Sequence, residues 1–228
     1  MAGGFGTRLQ SVVDDVPKPM ALVAGRPFLE YLLDYLVHYG FSEVVLSTGY
    51  LAQHVSDHFG QRYRSLSIKY AVETDPLGTG GAIVNSFEQT NSDEALVLNG
   101  DSFLDVDLHD AVGDYKRDID GLMILRKMEN PDRFGTVKLD DAGRLIQFDE
   151  KRVGLSVGLI NAGMYLLKRS VFENYGLHGK FSVEEDFFKP HIQTLNILGY
   201  VSSGYFIDIG IPEEYEKAQT DFKDFKYS

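Results

Sequence analysis

Residues 43–82, EVVLSTGYLAQHVSDHFGQRYRSLSIKYAVETDPLGTGGA, hold the fold in miniature. Glu43 to Thr48 is an apolar, β-branched run of strand length, which reads as a buried strand. Leu51 to Phe59 follows as a helix. Ser67 to Val72 alternates like a strand, and the glycine turn Leu77-Gly78-Thr79-Gly80-Gly81 leads into a short helix ending near Phe87. Strands separated by helices of this size imply a largely parallel sheet covered on both faces.

The same reading extends in both directions. Upstream, Pro27 suits a first helical position, and Phe28, Leu29, Leu32, Leu33 and Leu36 recur at helical spacing up to Gly40. Downstream, Ala95 to Asn99 is another apolar strand, ending at Gly100-Asp101. The character changes after about Gly121. Gly121 to Met128, Thr136 to Leu139, Leu145 to Phe148 and Leu159 to Leu167 are strand-like, with a hairpin signal at Asp140-Asp141-Ala142-Gly143. Ser182 with Glu185 makes a capping box, so a helix should start there. Tyr205 to Ile209 reads as a last strand. Pro212 opens a last helix with Tyr215, Ala218, Phe222 and Phe225 on one face. The prediction is an α/β sandwich with a β-rich insertion.

Bulk properties narrow the functional classes. Hydrophobic residues are 43% and charged residues 25%, an ordinary globular balance. No apolar run approaches the ~20 residues that span a bilayer. The glycine-rich start lacks the basic and apolar regions of a signal peptide, so cytoplasmic residence is the expectation. Without cysteine there is no disulfide, thiolate metal site or cysteine nucleophile. A net charge of −12 argues against a nucleic-acid partner. It does not argue against one nucleotide, because a few cations can reverse the potential locally.

Five segments can carry chemistry. Gly3, Gly4 and Gly6, followed by Thr7-Arg8, leave backbone N–H groups uncovered where phosphate oxygens could approach, and Arg8 adds a forked cation. A plain glycine-rich turn is the bland alternative. Lys18 stands between Pro17 and Pro19, which disfavour helix and orient it as a phosphate-neutralising cation. In the third segment the glycines at 78, 80 and 81 permit a flat ring near the backbone, and Glu73 could accept from guanine; a solvated strand-end carboxylate is the other reading. Asn99-Gly100-Asp101 puts a carboxylate after an apolar strand, where open α/β sheets bind ligands. Asp208 is a second carboxylate inside an apolar strand, where it needs a cation or a partner. The two are the predicted Mg²⁺ ligands. Last come Glu150-Lys151 and Asn161-Ala162-Gly163, suited to sugar hydroxyls and a sugar phosphate. His54 and His58 read as a solvated helix face. Asp105 and Asp107 resemble a glycosyltransferase D-x-D pair, but a helix cap before Leu108 is the better reading.

Together AGGFGTRL at 2–9, PKPM at 17–20, PLGTGGA at 76–82, NGD at 99–101, FDEK at 148–151, NAGMY at 161–165 and FIDIGIPEEY at 206–215 resemble the sugar-nucleotide pyrophosphorylases, the nucleotidyl transferases of GT-A-like Rossmann type. The resemblance spans essentially the whole chain. It implies a single domain over residues 1–228: a Rossmann-like (GT-A-type) three-layer sandwich with a mixed, mostly parallel sheet. Residues 1–120 would form the nucleotide-binding half and 121–228 the sugar-phosphate-binding half.

It also implies roles. Gly3, Gly4, Gly6 and Thr7 would cradle the triphosphate, Arg8 would stabilise departing pyrophosphate, and Lys18 would touch phosphate at the reacting centre. Glu73, Gly78, Thr79 and Gly81 would contact the base, with Asn99 beside the nucleotide. Asp101 and Asp208 would hold Mg²⁺, and Asp101 counts among the catalytic residues with Arg8 and Lys18. Glu150, Lys151, Asn161 and Gly163 would meet the sugar phosphate. The partners implied are GTP or another nucleoside triphosphate and a sugar 1-phosphate. Overall likeness and the compact ending point to a heptose, for bacterial surface polysaccharide. Mannose 1-phosphate, or UTP or dTTP, stays open, as does a binding protein without turnover. A homodimer through the β-rich half is a further expectation. One departure stands out. The family has a short apolar strand before its glycine loop, in mid-sheet, whereas only Met1 precedes Ala2 here. The expectation is a gap in the sheet.

Overall fold

The computed structural model describes residues 16–49, 51–113, 119–149 and 154–227. A single 3-10 turn, Lys18–Met20, leads into a two-residue-per-strand hairpin, β1 (Leu22–Val23) and β2 (Arg26–Pro27). Then follow α1 (Phe28–His38), β3 (Glu43–Thr48), α2 (Ala52–Phe59), β4 (Arg62–Tyr63), β5 (Leu66–Val72), α3 (Gly78–Phe87), β6 (Glu94–Leu98), β7 (Ser102–Leu104) and α4 (Leu108–Gly113). The second half contains β8 (Gly121–Glu129), β9 (Thr136–Leu139), β10 (Leu145–Asp149), β11 (Val157–Lys168), α5 (Arg169–Asn174), a π-helical turn Val183–Phe188, α6 (Lys189–His191), β12 (Ile197–Ser202), β13 (Phe206–Asp208) and α7 (Pro212–Asp221).

Local signals act where they were expected, with small shifts. Pro27 caps α1 from one position further out than predicted. Asp140 closes its hairpin by accepting from the N–H groups of Ala142 and Arg144, both at 2.9 Å. Asp107 caps α4 through the N–H groups of His109 and Asp110. Ser182 accepts from the Glu185 N–H, but the returning carboxylate is Asp186, 2.7 Å from the Ser182 N–H. The segment winds as a π-helix, which brings position 186 rather than 185 back to the cap.

The sheet is mixed. β3 and β5 are parallel, as are β8 and β12. The other described ladders are antiparallel, so the parallel share is smaller than the strand–helix alternation suggests. The reason is the length of β11. Its first half pairs with β9 and β8, its second half with β6 and β8, and a register shift between Asn161 and Met164 lets it change direction. One strand thereby joins the β-rich insertion to the main sheet.

Period-two alternation builds the three layers. Leu122, Ile124, Met164 and Leu166 join the core under α1 and α7, where Phe222 meets Tyr31 edge-on at 4.9 Å. Met123, Leu125, Tyr165 and Leu167 face the opposite core, with Ile83 and Phe87 of α3 and Phe172 of α5. Asp34, fully buried in α1, is held by Arg26 at 2.6 Å, the Tyr63 hydroxyl at 2.9 Å and Arg64 at 3.2 Å. Among the described residues no strand joins β3 to β6, and a cavity of about 440 Å³ is lined there by Leu29, Leu33, Leu46, Ile83 and Leu96.

Candidate active site

A second cavity, ≈ 360 Å³ and mostly polar, opens where β6 ends, with the β11 bulge and β13 on its other sides. β6 ends at Leu98, and the turn Asn99-Gly100-Asp101 delivers the Asp101 carboxylate to its floor. β13 is antiparallel to β7 with Asp208 opposite Ser102, and the Ile209 N–H donates to the Asp101 carbonyl at 2.9 Å. That register sets the two carboxylates side by side, although they are remote in sequence.

Lys18 enters from the 3-10 turn, closed by the Met20 N–H on the Pro17 carbonyl at 2.7 Å. The prolines do not keep this segment extended; Pro19 is a helical residue within one tight turn, and the stiffness is retained. Lys18 Nζ lies 3.2 Å from Asp101 Oδ2. Asp208 Oδ1 accepts from the Gly210 N–H at 2.8 Å, and its Oδ2 is 3.8 Å from Arg133. A side chain at Gly210 would put Cβ 2.8 Å from Asp208 Oδ1, so this close approach needs glycine.

Burial, then the neighbouring Asp101 charge, pushes the Asp208 carboxyl up from its ordinary range; the Gly210 N–H, Arg133 and Lys18 pull the other way and do not compensate. A half-buried carboxylate short of positive charge, beside a second one, fits a divalent cation. Among the described residues no group of three or more His, Cys, Asp or Glu forms a closed metal cluster. An open pair leaves coordination positions for ligand oxygens and water, the arrangement that Mg²⁺ favours with phosphates.

The opposite wall is the bulge. The Asn99 N–H donates to the Gly163 carbonyl at 2.8 Å, and the Gly163 N–H donates to Asn161 Oδ1 at 2.9 Å. Gly163 has φ +72°, and a Cβ there would fall 2.3 Å from Asn99 Nδ2. Its glycine identity therefore serves the bulge, and the bulge turns Asn161 to the cavity.

The structure thus brings together Lys18, Asn99, Asp101, Asn161, Gly163 and Asp208. Glu73, Gly78, Thr79 and Gly81 do not line this cavity. Glu73 accepts from the Ser47 hydroxyl at 2.8 Å and the Leu77 N–H at 3.0 Å, which pins the loop ahead of α3. The room left by the α3 glycines is filled by the chain itself. A Cβ at Gly78 would meet the Phe181 carbonyl at 2.5 Å, and one at Gly81 the Gly179 carbonyl at 2.2 Å. Thr79 is likewise engaged, donating to Glu184 at 2.8 Å and accepting from the Val183 N–H at 2.9 Å. Gly3, Gly4, Gly6, Thr7, Arg8, Glu150 and Lys151 lie outside the described residues.

Sequence reading missed Arg133, which stands 3.8 Å from Asp208 and 3.9 Å from Glu214. It sits in the β8–β9 loop, where a lone cation after Pro131-Asp132 looks like any solvated charge. The neighbouring Phe134, a cavity wall residue, was missed as well, since one aromatic in a loop carries no spacing signal. Asp105, set aside earlier, is tied to Lys226 at 2.7 Å and the Tyr227 hydroxyl at 2.6 Å, away from the cavity.

The family model for nucleotidyl transferases matches residues 1–224. The chain is a nucleotidyl transferase. A D-glycero-alpha-D-manno-heptose 1-phosphate guanylyltransferase of Aneurinibacillus thermoaerophilus is 41% identical, with 99% of this chain and 97% of that protein covered. The Campylobacter jejuni enzyme of the same name (subsp. jejuni serotype O:2) is 40% identical, covering 94% and 95%. The crystal structure of HddC from Yersinia pseudotuberculosis complexed with GMP-PN superposes with a TM-score of 0.86 at 36% identity, 97% of each chain being covered. Within this nucleotidyl transferase no described helix is long and apolar enough to cross a membrane.

Proposed function

We propose that the chain transfers the GMP group of GTP to D-glycero-α-D-manno-heptose 1-phosphate, releasing pyrophosphate and forming GDP-heptose. The observation that carries this reading is the pairing of Asp101 and Asp208 in a polar cavity with Lys18 on one side and Asn161 on the other. The full-length relatives named above support the guanylyl and heptose parts.

An oxygen of the sugar 1-phosphate attacks the α-phosphorus in line. The new O–P bond forms as the bond to the bridging oxygen breaks, and pyrophosphate departs with that electron pair. The attacking phosphate has a second pKa of about 6 and is mostly dianionic at neutral pH, so no general base is required. What the protein must do is hold two anions together and neutralise them. Lys18 and Arg133 supply cationic charge at the cavity, Arg8 and Lys151 would supply more to the substrates, and Gly3, Gly4, Gly6 and Thr7 would cradle the triphosphate. Asp101 and Asp208 would hold Mg²⁺, which when bound neutralises developing phosphate charge. Asn161 would meet the sugar phosphate and Glu150 its hydroxyls. Glu73, beside α3, would meet the guanine edge once its loop opens to the base. A homodimer through the β-rich half would be compatible with exposed apolar side chains on its strands, Ile146, Val157 and Val201.

Pyrophosphate release across four triphosphates and a panel of sugar 1-phosphates tests the reading. GTP with the heptose 1-phosphate should give the highest kcat/KM. Turnover with UTP and none with GTP would overturn the guanylyl assignment, and a preference for mannose 1-phosphate would overturn the heptose.

A further inference from the structure

A one-way chain of hydrogen bonds runs from the cavity wall through the core to the start of α3. Asn161 Oδ1 accepts from the Gly163 N–H at 2.9 Å. A backbone N–H can only donate, so the orientation of the Asn161 amide is fixed at that end. Its Nδ2 donates to the Tyr165 hydroxyl at 2.5 Å, and that hydroxyl donates to Glu184 Oε1 at 3.1 Å. Glu184 Oε2 takes two further donors, the Thr79 hydroxyl at 2.8 Å and the Ser182 hydroxyl at 3.1 Å. An ionised carboxylate only accepts. Each hydroxyl must therefore point its proton towards Glu184, and Tyr165 must offer its lone pair to Asn161.

This chain is more than packing requires. The Tyr165 ring is fully buried among Phe187, Phe188 and Leu167. Phenylalanine would fill the same volume and would spare the core a hydroxyl and its carboxylate partner. Burial and the Glu184 charge push the phenol well above its ordinary value, so the hydroxyl keeps its proton at any working pH. The amide nitrogen of Asn161 carries two hydrogens. One is committed to Tyr165, and the other has no acceptor among the described residues, while Asn161 itself lines the cavity.

We propose that Tyr165 is a positioning residue for the sugar-phosphate substrate: with Glu184 and Thr79 behind it, it locks the Asn161 amide so that its second N–H is presented to the cavity as a donor to an acceptor oxygen. The inference rests on the function proposed above, because it needs a sugar phosphate beside Asn161. It adds two things. The cavity reads its substrate there by donating, not accepting, so a group that can only donate is disfavoured. The donor is also tied through Thr79 to the first turn of α3, in the other half of the molecule.

The test measures KM for GTP and for D-glycero-α-D-manno-heptose 1-phosphate by pyrophosphate release, with thermal midpoints, for Tyr165→Phe, Asn161→Ala, the double variant and Glu184→Gln. Tyr165→Phe should raise the sugar-phosphate KM about tenfold, the scale of one lost hydrogen bond, and leave the GTP KM within about twofold. It should add nothing in the Asn161→Ala background. Glu184→Gln, which no longer dictates proton direction, should raise the same KM about threefold. An unchanged sugar-phosphate KM in Tyr165→Phe overturns the proposal. So does an equal rise in both KM values with a lowered midpoint, the mark of a packing role. Should Tyr165→Phe not fold, a wild-type KM in Glu184→Gln overturns it instead. If the unsubstituted enzyme releases no pyrophosphate from this pair of substrates, the functional reading itself fails, a distinct result.

Discussion

β3 and β8 are both apolar strands with a parallel neighbour, yet they sit in different surroundings. β8 is held on both sides, by β11 and β12, and its side chains enter a core on each face. β3 pairs with β5 on one side, and a cavity of about 440 Å³ separates it from β6 on the other. Among the described residues the first half is therefore the less completely packed. The polar cavity belongs to neither alone: Lys18 and Asp101 come from the first half, Asn161 and Asp208 from the second. A site at the seam depends on both, so the difference between the halves should be visible in activity as well as in stability.

The largest effect is expected at the seam. Asp101→Asn should lower kcat by on the order of 10²–10³-fold, because it removes a carboxylate that would hold the cation neutralising the phosphates. Asp105→Asn, whose carboxylate is bound to Lys226 and Tyr227, should keep most of the activity. Steady-state pyrophosphate release compares them, and the reverse ranking would move the reacting centre to Asp105.

Asp208 sharpens the point from the second half. Its folded pKa is raised, so the native state binds the proton more tightly than the unfolded chain does. The resulting stabilisation is present at low pH and is lost as pH rises from the ordinary carboxylate range through the raised value. Without metal, Asp208→Asn should match the parent's thermal midpoint near pH 3.5 and exceed it at pH 7, while turnover falls at least tenfold. A midpoint below the parent's at neutral pH would mean that the carboxylate is structural.

Core truncation tests the packing contrast directly. Leu125→Ala in β8 should cost about 3 kcal/mol, since it opens a void in a closed core. Leu46→Ala in β3 should cost under about 2 kcal/mol, because that side chain already borders a cavity and loses fewer contacts. Urea unfolding gives both numbers, and equal costs would erase the contrast. The smallest effect is in exchange rates: amides of Val44 to Leu46 should exchange faster than those of Met123 to Leu125 under native conditions.

Much of the fold was legible because its signals are local. Asp140, Asp107 and Ser182 act on N–H groups two to four residues away, and the helices at 28–38 and 212–221 carry their own periodicity. β12 escaped sequence reading because Gly199 interrupts its pattern; the glycine is there because a Cβ would come within 2.6 Å of Leu139 and 2.8 Å of Leu125. The double pairing of β11 was equally invisible, since a run of alternating residues does not say which neighbours it will take.

The sequence by itself pointed to the residue types that line the cavity: carboxylates at strand ends, a lysine between prolines, an asparagine two residues before a glycine. Those are properties of short segments, and short segments have only a few low-energy conformations. Tertiary structure alone decided which of them meet. It joined Lys18 to Asp101, set Asp208 opposite Ser102, and turned the α3 glycines towards residues 179–181. It also made a proton-ordering chain of Asn161, Tyr165, Glu184 and Thr79. Contacts of that kind are set by sheet register and layer packing, which sum over the whole chain and leave no mark in any one stretch of it.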